Sequence, residues 1–228
     1  MSAISEFRES LKSAERLVRI EARYSDPPTR RSINTVQGLR GGAVVMMVAA
    51  FEQFLREDLE EQLAPLSINP PPRTFTALPK KMQVASVFGS LERVMKGPLY
   101  GSPAGKFNRL PEIRNVAGLI VGRRIDLKAL SDTRGNPDSS CVRELLVNVG
   151  IDKPFDVMRP GFDVAWGRPE AISFVQDKLD EIVGRRHLVA HTAAALQVAR
   201  GELPIALRFL GVLGAVIDGT LSAHVATL

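Results

Sequence analysis

The stretch Ala43-Val44-Val45-Met46-Met47-Val48-Ala49-Ala50-Phe51-Glu52-Gln53-Phe54-Leu55 decides the fold. Apolar residues cover it on nearly every side, with little alternation of period two. A helix of that pattern is buried at the centre of a bundle. It is expected to begin between residues 32 and 35 and to run to about residue 63. Gly38, Gly41 and Gly42 weaken its first turns. Beyond the apolar part, most of Glu57, Asp58, Glu60 and Glu61 read as a solvated face. Glu52 differs, because it lies between Phe51 and Leu55 in the apolar part. A carboxylate there needs a partner, and arginine is the usual one.

Helical spacing recurs outward from this segment. Over residues 4–23, Ile4, Phe7, Leu11, Ala14, Leu17 and Ile20 form one apolar stripe, and Asp26-Pro27-Pro28 ends the helix. Pro65, Pro70, Pro71, Pro72 and Pro79 mark residues 66–79 as a loop or crossover. A third helix is expected over about 80–96, with Met82, Val84, Val87, Leu91 and Val94 or Met95 inside. Residues 97–138 are the least regular, and 116–121 fits helix or strand. Asn136-Pro137-Asp138-Ser139-Ser140 signals a helix start, and the helix over 140–149 should end at Gly150. Residues 151–167 read as a loop holding the only tryptophan, Trp166. Arg168-Pro169-Glu170 should then open a helix on which Ile172, Val175, Leu179, Ile182 and Val189 share a face. The last helix, from 203 to the end, should break near Gly211, Gly214 or Gly219. These readings give an all-α domain over 1–228, with a core of about 35–225 and an N-terminal helix within 1–30.

Composition narrows the chemistry. Of 228 residues, 45% are hydrophobic, enough for a sizeable core, and the net charge of +5 leans towards an anionic partner. The one cysteine, Cys141, excludes an internal disulfide and a thiolate zinc site, and reads as a small buried residue. The charged N-terminus does not read as a signal peptide, so a reducing cytoplasm is expected. Residues 42–51 are too short to span a bilayer; 203–228 are long enough but interrupted by Arg208, Asp218 and His224. Both read as core helices, and no membrane partner is expected. Arg114, Arg123 and Arg124 belong to a basic stretch from Lys106 to Arg134, either a solvated surface or a patch that follows a phosphate backbone.

Two of the three histidines fall in Gly184-Arg185-Arg186-His187-Leu188-Val189-Ala190-His191-Thr192. Arginine grips a phosphoryl group through a fixed fork of donors, and histidine moves a proton near neutral pH. On a continuous helix Arg186 shares the seam of Val175, Leu179 and Ile182, where a charge calls for a partner such as Glu52. Five residues are about 500° of turn, which would put His191 roughly 140° away from Arg186 unless the helix breaks near Gly184. His187 and His191, four apart, also have the spacing of two metal ligands, without an acid at a familiar offset.

With these residues the chain resembles the HEPN ribonucleases, in particular the RiboL-PSP-HEPN branch. Members carry an arginine, four to six residues, then a histidine, as Arg186 and His191 do here; His187 stands where asparagine or aspartate is more usual. Ala49-Ala50-Phe51-Glu52-Gln53-Phe54-Leu55 is similar to the first core helix of the family, and residues 139–151 are a weaker match. The resemblance covers roughly residues 35–225 and implies a HEPN-like helical bundle with loop insertions between the core helices. It also implies a metal-independent endoribonuclease without cofactors, acting as a homodimer on transfer or messenger RNA. His191 would take the 2′-hydroxyl proton and Arg186 would hold the scissile phosphate, with His187, Glu52 and Arg185 as further candidates. Many members are toxins of toxin–antitoxin or phage-defence systems, so an antitoxin protein is a further expected partner. A HEPN-type module that binds RNA or protein without cutting is the alternative.

Overall fold

The computed structural model describes residues 1–68, 73–95, 103–192 and 198–228, with the side chains of 103, 104, 191 and 192 excepted. Among these residues the regular structure is helical throughout, with no strand. In chain order the α-helices are α1 (Ala3–Glu21), α2 (Ile33–Leu63), α3 (Lys80–Met95), α4 (Pro103–Val121), α5 (Leu127–Leu130), α6 (Ser139–Asn148), α7 (Pro154–Trp166), α8 (Phe174–Thr192) and α9 (Glu202–Val225). Helix α2 is the hub: α1, α5, α8 and α9 all pack on it. Its buried face runs from Val36 through Met47, Phe51, Phe54 and Leu59 to Leu63. Val45 and Met46 look outward and are partly exposed. Phe7 of α1 stacks on Phe54, ring centroids 4.7 Å apart. Each such fully buried side chain contributes about 1.5–3 kcal/mol relative to exposure.

Helices α2 and α9 are long and apolar enough to cross a bilayer by length and composition. Here they pack against each other and α1. The glycines do not break α9, which is continuous over Glu202–Val225. Gly214 instead permits close approach: a Cβ there would stand 2.5 Å from Cε1 of Phe7.

Several expectations give way to packing. Residues 154–166 form a helix, α7, rather than a loop. Pro160 and Gly161 look like breakers, but Phe155, Met158, Phe162 and Trp166 recur at helical steps and are all buried. Phe162, Trp166, Phe174 and Phe209 make an aromatic cluster that outweighs the hydrogen bond lost at Pro160. Helix α8 opens at Phe174, not at Arg168, because Glu170 is engaged locally. It accepts from Trp166 Nε1 at 2.8 Å and Arg168 Nε at 2.7 Å. Ile172 therefore lies outside the helix and is exposed.

On α1 the stripe turns towards Val18, leaving Ile20 exposed. On α3 the buried positions are Met82, Ser86, Ser90 and Val94, while Val84 and Leu91 face out. The two serines are buried because they serve Asp126: Ser90 Oγ donates to its carboxylate at 2.8 Å, and Ser86 Oγ accepts from its backbone N–H at 2.8 Å. Residues 116–121 are helical, within α4. Helix α6 begins at Ser139, capped by Asp138, and Gly150 follows it at φ +103°.

Candidate functional site

Helix α8 packs on α2 and α6. Leu179, Ile182 and Val183 are buried, which fixes the rotation of the helix. Arg186, one turn beyond Ile182 and Val183, is thereby aimed at α2. Its Nη1 lies 4.0 Å from Oε2 of Glu52, so the two charges face each other without a hydrogen bond. The two side chains are about one-fifth exposed, 20% and 17%, so the pair sits at the rim of the core. Glu52 Oε1 also accepts from Arg56 Nη2 and from Thr133 Oγ1, both at 3.0 Å.

The loop between α5 and α6 supplies the rest. Ser131 Oγ ties its start to Glu60 of α2 at 2.7 Å, and Ser139 ties its end to Asp180 of α8 through N–H and Oγ, both at 2.8 Å. Between these anchors Arg134 and Gly135 take consecutive left-handed conformations, φ +52° and +75°. Asp132 supports the turn by accepting from the Arg134 N–H at 2.9 Å. The Gly135 carbonyl consequently faces Arg186 and accepts from its Nη2 at 2.9 Å. Asn136 Oδ1 stands 3.4 Å from the same Nη2 and 2.9 Å from Nε2 of His187.

The orientation of Asn136 follows from its other contact. Its Nδ2 donates to Asp138 Oδ2 at 2.6 Å, and a carboxylate only accepts. Oδ1 must therefore face Arg186 and His187, and His187 must donate from Nε2. In neutral His187 the remaining basic nitrogen is Nδ1. Among the described residues only Nη2 of the Arg186 nitrogens is hydrogen-bonded. Nε is buried without a partner there and is closed to an incoming group, so Nη1, which meets Glu52 only at 4.0 Å, is the nitrogen left to grip a phosphate.

The other expected residues separate. Arg185 turns away and bonds Glu181 and Glu202, the latter at 2.6 Å, so it pins α8 to the start of α9. The backbone of His191 lies on α8, which runs unbroken through Gly184, so the helix does not turn the frame between Arg186 and His191. The side chain of His191 lies outside the described residues. Arg114 is exposed on α4, and Arg123 and Arg124 are exposed in the turn after it; α4 packs on α3 rather than on α8. Among the described residues no group of three or more His, Cys, Asp or Glu side chains is placed to hold a metal. His224 contacts the Val149 carbonyl at 3.0 Å. Burial pushes the Cys141 thiol up to about 12, with Asp138 and Glu144 adding to the shift, so it stays protonated and unreactive.

Thr133, Gly135 and Asn136 were not among the candidates. Their only sequence signal was the helix start at Asn136-Pro137-Asp138, which says nothing of what the loop faces.

No curated protein and no solved structure matches the chain. The RiboL-PSP-HEPN family model matches residues 6–223, nearly the whole length. This family points to a nuclease or RNA-binding function. The match takes in the glutamate of α2, the α5–α6 loop and the Arg–His segment of α8, and the chain belongs to the RiboL-PSP-HEPN family.

Proposed function

We propose that this protein is a metal-independent endoribonuclease. The observation that carries the reading is Arg186: an arginine at the rim of the core, held by the Gly135 carbonyl through Nη2, with Nη1 facing Glu52 only at 4.0 Å. In the reaction His191 takes the proton of a ribose 2′-hydroxyl. The 2′-oxygen attacks the adjacent phosphorus, the bond to the 5′-oxygen breaks, and that oxygen leaves with a proton. One product ends in a 2′,3′-cyclic phosphate and the other in a 5′-hydroxyl, and DNA is not cut. Arg186 holds the phosphate and offsets the charge that builds on it. Two copies pair around one cleft, and the substrate is transfer or messenger RNA in the cytoplasm, in a toxin–antitoxin or phage-defence setting. A second reading, an RNA- or protein-binding module that does not cut, is favoured by the contacts that already occupy part of Arg186.

The test is cleavage of total cellular RNA in the presence of a chelator. His191→Ala should abolish cutting and Arg186→Ala should nearly do so. Arg186→Lys should rescue only partly, because an ammonium lacks the planar fork. Full activity in folded His191→Ala would sink the mechanism. Wild-type activity lost only with chelator would favour a metal site at His187 and His191.

A further inference from the structure

A polar groove opens on the α5–α6 loop, lined by Thr133 and Asn136. Its inner half, about 450 Å³, reaches from Thr133, Asn136 and Asp138 past Ser140 to Arg93 and Glu144. Its outer half, about 390 Å³, continues to Lys80, Lys81, Val84 and Phe88. The halves share Glu92, Arg134 and Glu144 among their walls, so they are one groove between α3 and α6 with α5 beneath. Gly89 brings the floor close, since a Cβ there would stand 3.2 Å from that of Ala129. Arg134 bridges the groove, 3.0 Å from Glu144 and 3.9 Å from Glu92. The inner volume lies in the range of small-ligand sites, about 300–1,000 Å³.

Two residues join the groove to the motif. Thr133 lines it and donates to Glu52; Asn136 lines it and contacts Arg186 and His187. Asn136 thus stands between Arg186 and the groove, and a chain whose phosphate rests on Arg186 reaches the groove past that side chain. Charge decides which part of that chain can enter. The inner half has four acids, Glu92, Asp132, Asp138 and Glu144, against two bases, Arg93 and Arg134, a net charge of −2. A phosphodiester is repelled there, whereas a base edge carrying N–H donors is attracted, as carboxylates accept from amino groups of bases. The outer half changes character. Lys80 and Lys81 are exposed beside Phe88, whose side chain is also exposed. Lysines neutralise phosphates, and an exposed ring stacks a base of any sequence. Lys81 now pairs with Asp152 on the surface, a contact a phosphate can replace at little cost.

We propose that this groove binds single-stranded RNA next to the cut. It seats the base beside the scissile phosphate in the inner half, preferring adenine, cytosine or guanine, which carry an amino group, over uracil. The following base stacks on Phe88 with its phosphate at Lys80 and Lys81. The proposal rests on the ribonuclease reading for its placement of the phosphate, and its test separates the two.

Binding is measured by fluorescence anisotropy with labelled 2′-O-methyl RNA dodecamers, which lack the attacking hydroxyl. One is all uridine, and three carry a single A, C or G in a uridine background. Wild type should bind at least one of the three about tenfold tighter than all-uridine RNA. Ser140→Phe, at an exposed position on the inner wall, should erase that difference, while Ser140→Ala keeps it. Phe88→Ala should weaken all four by about tenfold. Equal binding of the four RNAs by wild type, no binding of any, or a Ser140→Phe profile like wild type would each overturn the groove. Unmodified RNA is assayed in parallel for cleavage. Selective binding without cleavage would remove the ribonuclease reading and leave the groove. Cleavage that Ser140→Phe leaves unchanged in rate and position would do the reverse.

Discussion

Asn136→Ala isolates the contribution of the α5–α6 loop to the Arg186 centre. The substitution removes the acceptor 2.9 Å from His187 Nε2 and the longer approach, 3.4 Å, to Arg186 Nη2. The first is an ordinary hydrogen bond, with a net value of about 0.5–1.5 kcal/mol. The second is beyond the usual N–H···O range of about 2.7–3.2 Å and adds little alone. Arg186 keeps the Gly135 carbonyl at 2.9 Å, so it should loosen rather than leave. The loss of orientation is therefore about 0.5–1.5 kcal/mol, or about 2–12-fold in cleavage rate at each 1.4 kcal/mol per factor of ten. The helix cap is spared, because the Cys141 N–H bonds Oδ1 of Asp138 whereas Asn136 bonds Oδ2. The assay is single-turnover cleavage of labelled RNA with chelator present, beside a thermal melt of the same variant. A melt near that of wild type with a rate reduced in this range is expected. A rate within twofold of wild type would refute the positioning argument. An equal fall in rate and melting temperature would show a structural effect instead.

How much of this site was legible depends on whether each residue answered to periodicity or to tertiary contact. The pairing of Glu52 with Arg186 was readable because both charges interrupt apolar faces, and a charge in a seam demands an opposite charge. The central place of α2 was readable for the same reason in reverse, since only a surrounded helix can be apolar on nearly every side. Helix α7 was not, because Pro160 and Gly161 carry a local signal against helix and the aromatic cluster that overrides it spans four separate positions up to residue 209. On α3 the apolar pattern misdirected, as two serines are buried to satisfy a single aspartate 36–40 residues away. The loop at 131–138 shows only the helix start at its end and nothing of what it faces. Its direction is set by two left-handed residues and by anchors on α2 and α8, none of which leaves a periodic trace.

Changing Arg123 and Arg124 together to Ala should lower RNA affinity and the slope of affinity against salt, if that patch follows phosphates; an unchanged slope returns both to the solvated surface. Glu21→Ala should cost about 1.5–3 kcal/mol in chemical denaturation. Glu21 is fully buried and accepts from Arg40 at 2.8 Å and from Arg200 at 2.9 Å; without it the buried Arg40 keeps Asp26 at 2.9 Å and the Val198 carbonyl at 3.0 Å, and stability equal to that of wild type would refute this. Asp58, buried on α2 rather than on its solvated face, makes stability depend on pH. Burial, then the charge of Asp218, pushes its carboxyl up to about 7 from an ordinary 3.8, with Glu61 adding to the repulsion and Gln62 opposing it. Gln62 Nε2 reaches Oδ1 of both, at 3.5 Å for Asp58 and 3.2 Å for Asp218, and Oδ2 of Asp58 has no partner when it is ionised. Between those two pKa values the unfolded chain sheds a proton that the native protein keeps. The stability due to neutral Asp58 is therefore full below about pH 4 and lost as pH rises through about 7. Asp58→Asn supplies a permanent donor to Asp218 without the charge. It should flatten this slope and leave the variant more stable than wild type at pH 8 by about 1–3 kcal/mol, the value of an unsatisfied buried polar group. Urea denaturation at pH 5, 6, 7 and 8 measures it. A variant less stable than wild type at pH 8, or an undiminished slope, would mean that the carboxyl is ionised in the native protein and held by contacts other than these.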